Sequence, residues 1–128
     1  MVRNQSTAEH YRWGEVCDGW RLLDRPDLTV IQERIPAGGG EVRHLHDRAR
    51  QLFFVLNGHL QIEFDDEVFR LEAGDSIEVP PLRAHRVRNA SQGDVLFLVV
   101  SAPSTKGDRE NLEYAGAACR TPCMVLIQ

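Results

Sequence analysis

The chain has 128 residues, 42% of them apolar, and a formal net charge of -4. That suits one folded domain with a real core and excludes an intrinsically disordered chain. Charges of both signs are interspersed, and Arg43, Arg48 and Arg50 are broken up by Asp47 and flanked by Glu41. No basic stripe stands out, so no nucleic-acid partner is expected. No segment reaches the roughly 18 to 20 apolar residues that span a bilayer, and residues 1–13 lack an apolar leader core. A cytoplasmic protein without membrane contact is therefore expected. Cys17, Cys119 and Cys123 make an odd count, which argues for free thiols rather than a disulfide framework.

In chain order, residues 1–27 read as an N-terminal arm. Ser6-Thr7-Ala8-Glu9 fits a capping box ahead of Tyr11 and Trp13, which predicts at most one short helical turn. Beyond it, Gly, Pro and Asp punctuate short runs of Val, Ile, Leu and Phe at roughly eight- to twelve-residue intervals, the pattern of an all-β sandwich or barrel. Strands are predicted at 28–35, 41–46, 51–56, 59–64, 68–72, 76–79, 85–89 and 95–101. Asn57-Gly58 is a two-residue hairpin signal. Asp65-Asp66 and Ala73-Gly74-Asp75 mark further turns, and Pro80-Pro81 ends a strand. Leu60, Ile62 and Phe64 alternate with His59, Gln61 and Glu63, which puts His59 on the surface. Residues 102–128 read as a polar loop followed by an apolar tail, Met124-Val125-Leu126-Ile127, that needs cover from the barrel or a partner subunit.

His44 and His46 are two apart, so a strand presents both on one face, and paired neutral imidazoles begin a metal site. Parity carries Val42 inward with them, Phe53 and Val55 with Gln51, and Val87 and Asn89 with His85. Taken singly, each of these residues is more often structural than functional. The segments Gly38-x5-His44-x-His46-x4-Gln51-x6-Gly58 and Gly74-x5-Pro80-x4-His85-x3-Asn89 together resemble the two motifs of a small single-domain cupin. The motifs cover residues 38–89, and the flanking predicted strands suit the same fold. The resemblance implies a double-stranded β-helix, or jelly-roll barrel, over residues 1–128. It implies the metal ligands His44, His46, Gln51 and His85 around one divalent transition metal per chain (Zn, Ni, Fe, Mn or Co). Val42, Phe53, Val55 and Val87 would line a pocket for a small molecule. It also implies a homodimer, for which Trp13, Trp20 and the apolar tail supply a physical motive.

This sequence departs from the family pattern twice. Leu82 replaces a usual glycine, which bears on a turn. Gln51 replaces a usual glutamate, which bears on the chemistry. A neutral amide leaves the complex with a formal charge of about +2 rather than about +1. That weakens metal affinity, strengthens Lewis acidity and favours an anionic substrate. It also removes a base, because glutamine takes no proton at neutral pH. Three readings follow. The first is an enzyme acting on a small enolisable or aromatic substrate, as a dioxygenase or by Lewis-acid isomerisation or cyclisation, like the cupins linked to polyketide cyclisation. The second is a non-catalytic ligand-binding or sensor cupin. The third is a metal-free barrel. The first is preferred, though a barrel alone does not decide function.

Overall fold

The structure, a computed structural model, describes residues 1–14 and 16–112. Eleven strands cross those residues: β1 (Glu9–Trp13), β2 (Cys17–Arg25), β3 (Leu28–Ile35), β4 (His44–His46), β5 (Arg50–Asn57), β6 (His59–Glu63), β7 (Val68–Glu72), β8 (Ser76–Val79), β9 (Arg86–Arg88), β10 (Val95–Ala102) and β11 (Arg109–Asn111). A six-stranded sheet has the order β1-β2-β3-β10-β5-β8. The second layer is built from β7-β6-β9 and β11-β4. Isolated bridges from Gly40 to Arg88 and from His44 to His85 join its two parts. The result is an all-β jelly roll, the double-stranded β-helix that the motifs implied. No described helix is long and apolar enough to cross a membrane.

Alternation explains why these segments pair as they do. In β5, Gln51, Phe53 and Val55 are buried while Leu52, Phe54 and Leu56 face outward. In β10, Val95, Phe97, Val99 and Ser101 point inward. Together with Leu60, Ile62, Leu71 and Val87 from the opposite layer they close one core. Each fully buried Phe, Leu, Ile or Val contributes roughly 1.5–3 kcal/mol. The hairpin at Asn57-Gly58 depends on its glycine twice over. Gly58 has φ of 88°, and a Cβ there would lie 2.4 Å from the Asp94 carbonyl oxygen. Leu82 also sits in the left-handed region, with φ of 69°. A usual glycine is therefore replaced where a side chain costs about 1–2 kcal/mol. The turn is held by the Leu82 N–H donating to the His46 carbonyl at 2.7 Å.

Within the arm 1–27, β1 and β2 form a hairpin that extends the large sheet beside β3. Its charged sequence hid it. Asp18 is buried on β2 and accepts from Arg34 Nε at 2.8 Å, with His10 Nε2 at 2.7 Å. Burial pushes the Asp18 carboxyl up, but these hydrogen bonds outweigh it and hold the group below its ordinary value. The expected capping box at Ser6 does not start a helix. Asn4 instead receives the Ser6 and Thr7 N–H groups on its side chain, in a single turn that leads into β1. The predicted strand 41–46 shortens to β4, because Glu41 turns inward to meet Arg109.

Part of the motive for a dimer also changes. Trp13 is covered within its own chain, with Nε1 donating to the Asp18 carbonyl at 3.0 Å. Cys17 is buried and unpaired, as expected. Cys119, Cys123 and the apolar tail lie outside the described residues.

Candidate metal centre

The sequence brings three histidines together through two local devices. His44 and His85 stand opposite one another across the two-residue bridge, each N–H donating to the other's carbonyl at 2.9 Å. This places their rings 4.4 Å apart. Both rings are then oriented in the same way. His44 Nδ1 lies 3.0 Å from the Val42 carbonyl oxygen, and His85 Nδ1 lies 2.9 Å from that of Arg83. In each case the ring donates Nδ1–H to the carbonyl two residues upstream and turns Nε2 inward, as metal-binding histidines commonly do. His46, two residues along β4 from His44, adds the third ring. One ring nitrogen from each of the three lies within 4.8 Å of the others.

Several buried polar atoms lack a hydrogen-bond partner among the described residues: both ring nitrogens of His46, Nε2 of His85 and Oε1 of Gln51. Leaving such atoms unsatisfied costs about 1–3 kcal/mol each. A cation would take one ring nitrogen from each of His46 and His85 and could take the Gln51 oxygen. Gln51 is anchored on the sheet by Nε2, which donates to Ser101 Oγ at 3.1 Å. That bond leaves the amide oxygen as the group on offer, the end of the amide that binds a cation.

Burial first, and Arg109 second, lowers the His46 pKa to about 4. Burial likewise dominates at His85, which falls to about 4, and holds His44 well below its ordinary value. All three imidazoles are therefore neutral at pH 7 and able to donate lone pairs. The donor set fits a divalent transition metal.

Phe53, Val55 and Val87 are buried in the adjoining core, with the Phe53 ring 6.2 Å from His85. Val42 is half-buried and contributes its carbonyl to His44. His59 is exposed, as alternation required.

The sequence reading missed two buried ionisable groups behind the histidines, Arg109 and Glu33. Arg109 on β11 pairs with His46 in register, and its side chain is 1% exposed. Arg109 Nη1 lies 3.3 Å from Glu41 Oε1, while Glu41 Oε2 accepts from the Val87 N–H at 3.1 Å and sits 3.6 Å from His44 Nδ1. Glu33 is buried on β3 and receives the Tyr11 hydroxyl at 3.4 Å. Its signal was visible in principle. Thr29, Ile31, Glu33 and Ile35 share the inward parity of β3, so a carboxyl occupies a core position.

Residues 31–101 match the cupin domain family model. A curated relative, an uncharacterized protein of Methanocaldococcus jannaschii, is 29% identical over 86 residues, which are 66% of this chain and 69% of the relative. Among solved structures, KdgF from Halomonas sp. superposes with a TM-score of 0.74 at 20% identity, covering 81% of this chain and 95% of that one. Streptomyces Pac13, described as a nucleoside dehydratase, gives 0.75 at 17% identity over 91% and 93%. A predicted oxalate decarboxylase from Thermotoga maritima gives 0.73 at 18% identity over 81% and 100%. At these identities the structures establish the fold alone. With the family match spanning more than half of its length, and the paired motifs building one buried centre, the chain belongs to the cupin family.

Proposed function

We propose that His44, His46, His85 and Gln51 hold one divalent transition metal, and that the protein is an enzyme acting on a small, oxygen-rich substrate. The observation that carries this reading is the buried cluster of three histidines, with one ring nitrogen from each within 4.8 Å of the others, supported by the unpartnered Gln51 oxygen. A metal bound there supplies Lewis acidity, suited to isomerisation, cyclisation or elimination, or an electron route to O₂. The protein supplies neutral ligands, so negative charge on the substrate is stabilised rather than repelled. With Gln51 unable to take a proton, acid–base work falls to the interior carboxyls. Glu41 is tied to Arg109 and the Val87 N–H, and the buried Glu33, hydrogen-bonded to Tyr11 and with a raised pKa, is assigned as the proton carrier. Enzymes among the similar structures support this reading, including the nucleoside dehydratase.

Elemental analysis of untagged protein should find close to one equivalent of metal per chain. Gln51→Glu should hold it more tightly, by on the order of tenfold, or about 1.4 kcal/mol. No metal in either protein would sink the proposal. Equal affinity would remove Gln51 from the ligand set. Turnover of an enolisable substrate by the metal-loaded protein separates the enzyme from a sensor, which would retain ligand unchanged.

The homodimer is proposed on a surface different from the one the tryptophans suggested. Leu52, Phe54 and Leu56 on the outer face of β5 are 39%, 36% and 41% exposed. They adjoin Leu96, Leu98 and Val100 of β10, also on the outer face. A second copy of the same sheet would cover this apolar row. Light scattering at micromolar concentration should report a dimer, and Phe54→Lys a monomer. A wild-type monomer would overturn it.

A further inference from the structure

A second polar row crosses the inner face of the large sheet. Thr29 pairs with Ser101, and Ser101 pairs with Gln51, so the three side chains lie side by side on neighbouring strands. Ser101 Oγ holds the Gln51 amide. Thr29 is only 4% exposed, yet its hydroxyl has no hydrogen-bond partner among the described residues. Two strand spacings separate Thr29 from Gln51, about 10 Å. The row therefore runs from the candidate metal centre to a buried hydroxyl without a hydrogen-bond partner among the described residues.

Thr29 borders a cavity of about 210 Å³ also lined by Arg21, Ile31, Thr105 and Lys106, among others. None of its described lining residues carries a carboxylate. Asp108, next in sequence to the lining residue Gly107, is occupied elsewhere, because its carboxylate accepts from the Arg48 and Ala49 N–H groups. Lys106 has no ion-pair partner among the described residues. Arg21 is a quarter exposed and lies 3.3 Å from Glu9, but Glu9 is 73% exposed, so solvent weakens that pair. The Arg21 guanidinium is held 4.3 Å over the Tyr11 ring, which orders it without neutralising it. Two cations and one buried donor, with no carboxylate among the described lining residues, make a built anion site in a chain whose net charge is -4.

We infer that the Arg21–Thr29–Lys106 recess binds the anionic end, a carboxylate or phosphate, of the small molecule that reaches the histidine centre with its other oxygen atoms. This inference rests on the enzyme reading above, and it specifies the substrate class: small, anionic at one end, and long enough to bridge about 10 Å. The hydroxyl of Thr29 donates to the anion, and the two cations set its charge. Gln51, being neutral, leaves the far end of the same row electrostatically open to oxygen ligands.

The test uses the full chain, stripped of metal and labelled with ¹⁵N, at pH 7.5. Inorganic phosphate and acetate are titrated separately, up to about 50 mM, a range that reports millimolar binding. Amide shifts should centre on Thr29 and Thr105–Gly107. Lys106→Gln and Arg21→Met should each weaken binding by about tenfold, and Thr29→Val by about fivefold. His46→Ala should bind as the wild type does, because the recess does not use the histidines. The tighter of the two probes identifies the anion type. Absence of shifts in the recess overturns the inference, as does unchanged affinity in both Lys106→Gln and Arg21→Met. Loss of binding in His46→Ala also overturns it, by placing the anion on the histidines. Metal content is measured in parallel, so anion binding in a protein that never takes up metal would sink the metal reading while leaving the recess standing.

Discussion

Titrating the metal-free protein from pH 7 to pH 4 should cost it several kcal/mol of stability. His46 and His85 titrate near 6.5 in an unfolded chain and at about 4 in the folded one, and His44 is also depressed. Burial is the first cause in each, because imidazolium is poorly solvated inside the barrel. The folded values lie below the unfolded ones, so the unfolded chain takes up protons between pH 6.5 and about 4 that the folded chain refuses. Stability is therefore complete above pH 6.5 and falls as pH falls toward 4. A displacement from 6.5 to about 4 is worth on the order of 3 kcal/mol for each of His46 and His85. The buried carboxyls Glu33 and Glu41 oppose part of this loss, because their raised pKa values let the folded state bind protons first. The net loss is still comparable with the roughly 5–15 kcal/mol that holds a domain of this size together. Urea unfolding in chelator across this range measures it, and His85→Gln should flatten the slope. Adding a divalent metal at 100 times its Kd should restore about 2.7 kcal/mol at pH 7, a gain that vanishes toward pH 4 as protons displace the ion. A metal-free protein equally stable at pH 7 and pH 4.5 would contradict the buried, neutral state of these rings.

The parts of this site that were legible in the sequence are those that periodicity governs. The spacing of His44 and His46 on a strand, and the parity linking Gln51 with Phe53 and Val55, both appear in the burial pattern. Leu82 marked a turn that the backbone confirms through its positive φ. The β1–β2 hairpin escaped because its signal is not apolar alternation. A strand can carry a buried charge if its neighbours pair with it, as Arg34 on β3 and His10 on β1 do with Asp18 on β2. Arg109 escaped for a different reason. It sits in a polar stretch that reads as loop, and only the pairing of β11 with β4 carries its guanidinium behind the histidines. Long-range register of that kind leaves no local trace in composition or spacing.

The other large effect concerns Glu33, where Glu33→Gln should stabilise the protein at pH 8 and change little at pH 4.5. Two buried carboxyls, Glu33 and Glu41, feel the charge of the buried Arg109, whose Nη1 lies 3.3 Å from Glu41 Oε1. Burial, and then the charge of Glu41, hold the Glu33 pKa well above its ordinary value. A carboxyl raised in this way contributes its stability below its unfolded pKa, near 4.5, and loses it as pH rises through the folded value. Glutamine keeps the shape and the contact with the Tyr11 hydroxyl but never ionises. It should therefore remove a penalty on the order of 1–3 kcal/mol at pH 8, the scale of desolvating a polar group without full compensation. Thermal melts at the two pH values read the difference directly. Equal destabilisation at both would show that Glu33 is a charged partner of Arg109, and would remove it as the proton carrier. If the stability gain at pH 8 is accompanied by loss of turnover, with metal content unchanged, the barrel keeps an unfavourable interior acid because its chemistry requires a transferable proton beside a glutamine that cannot supply one.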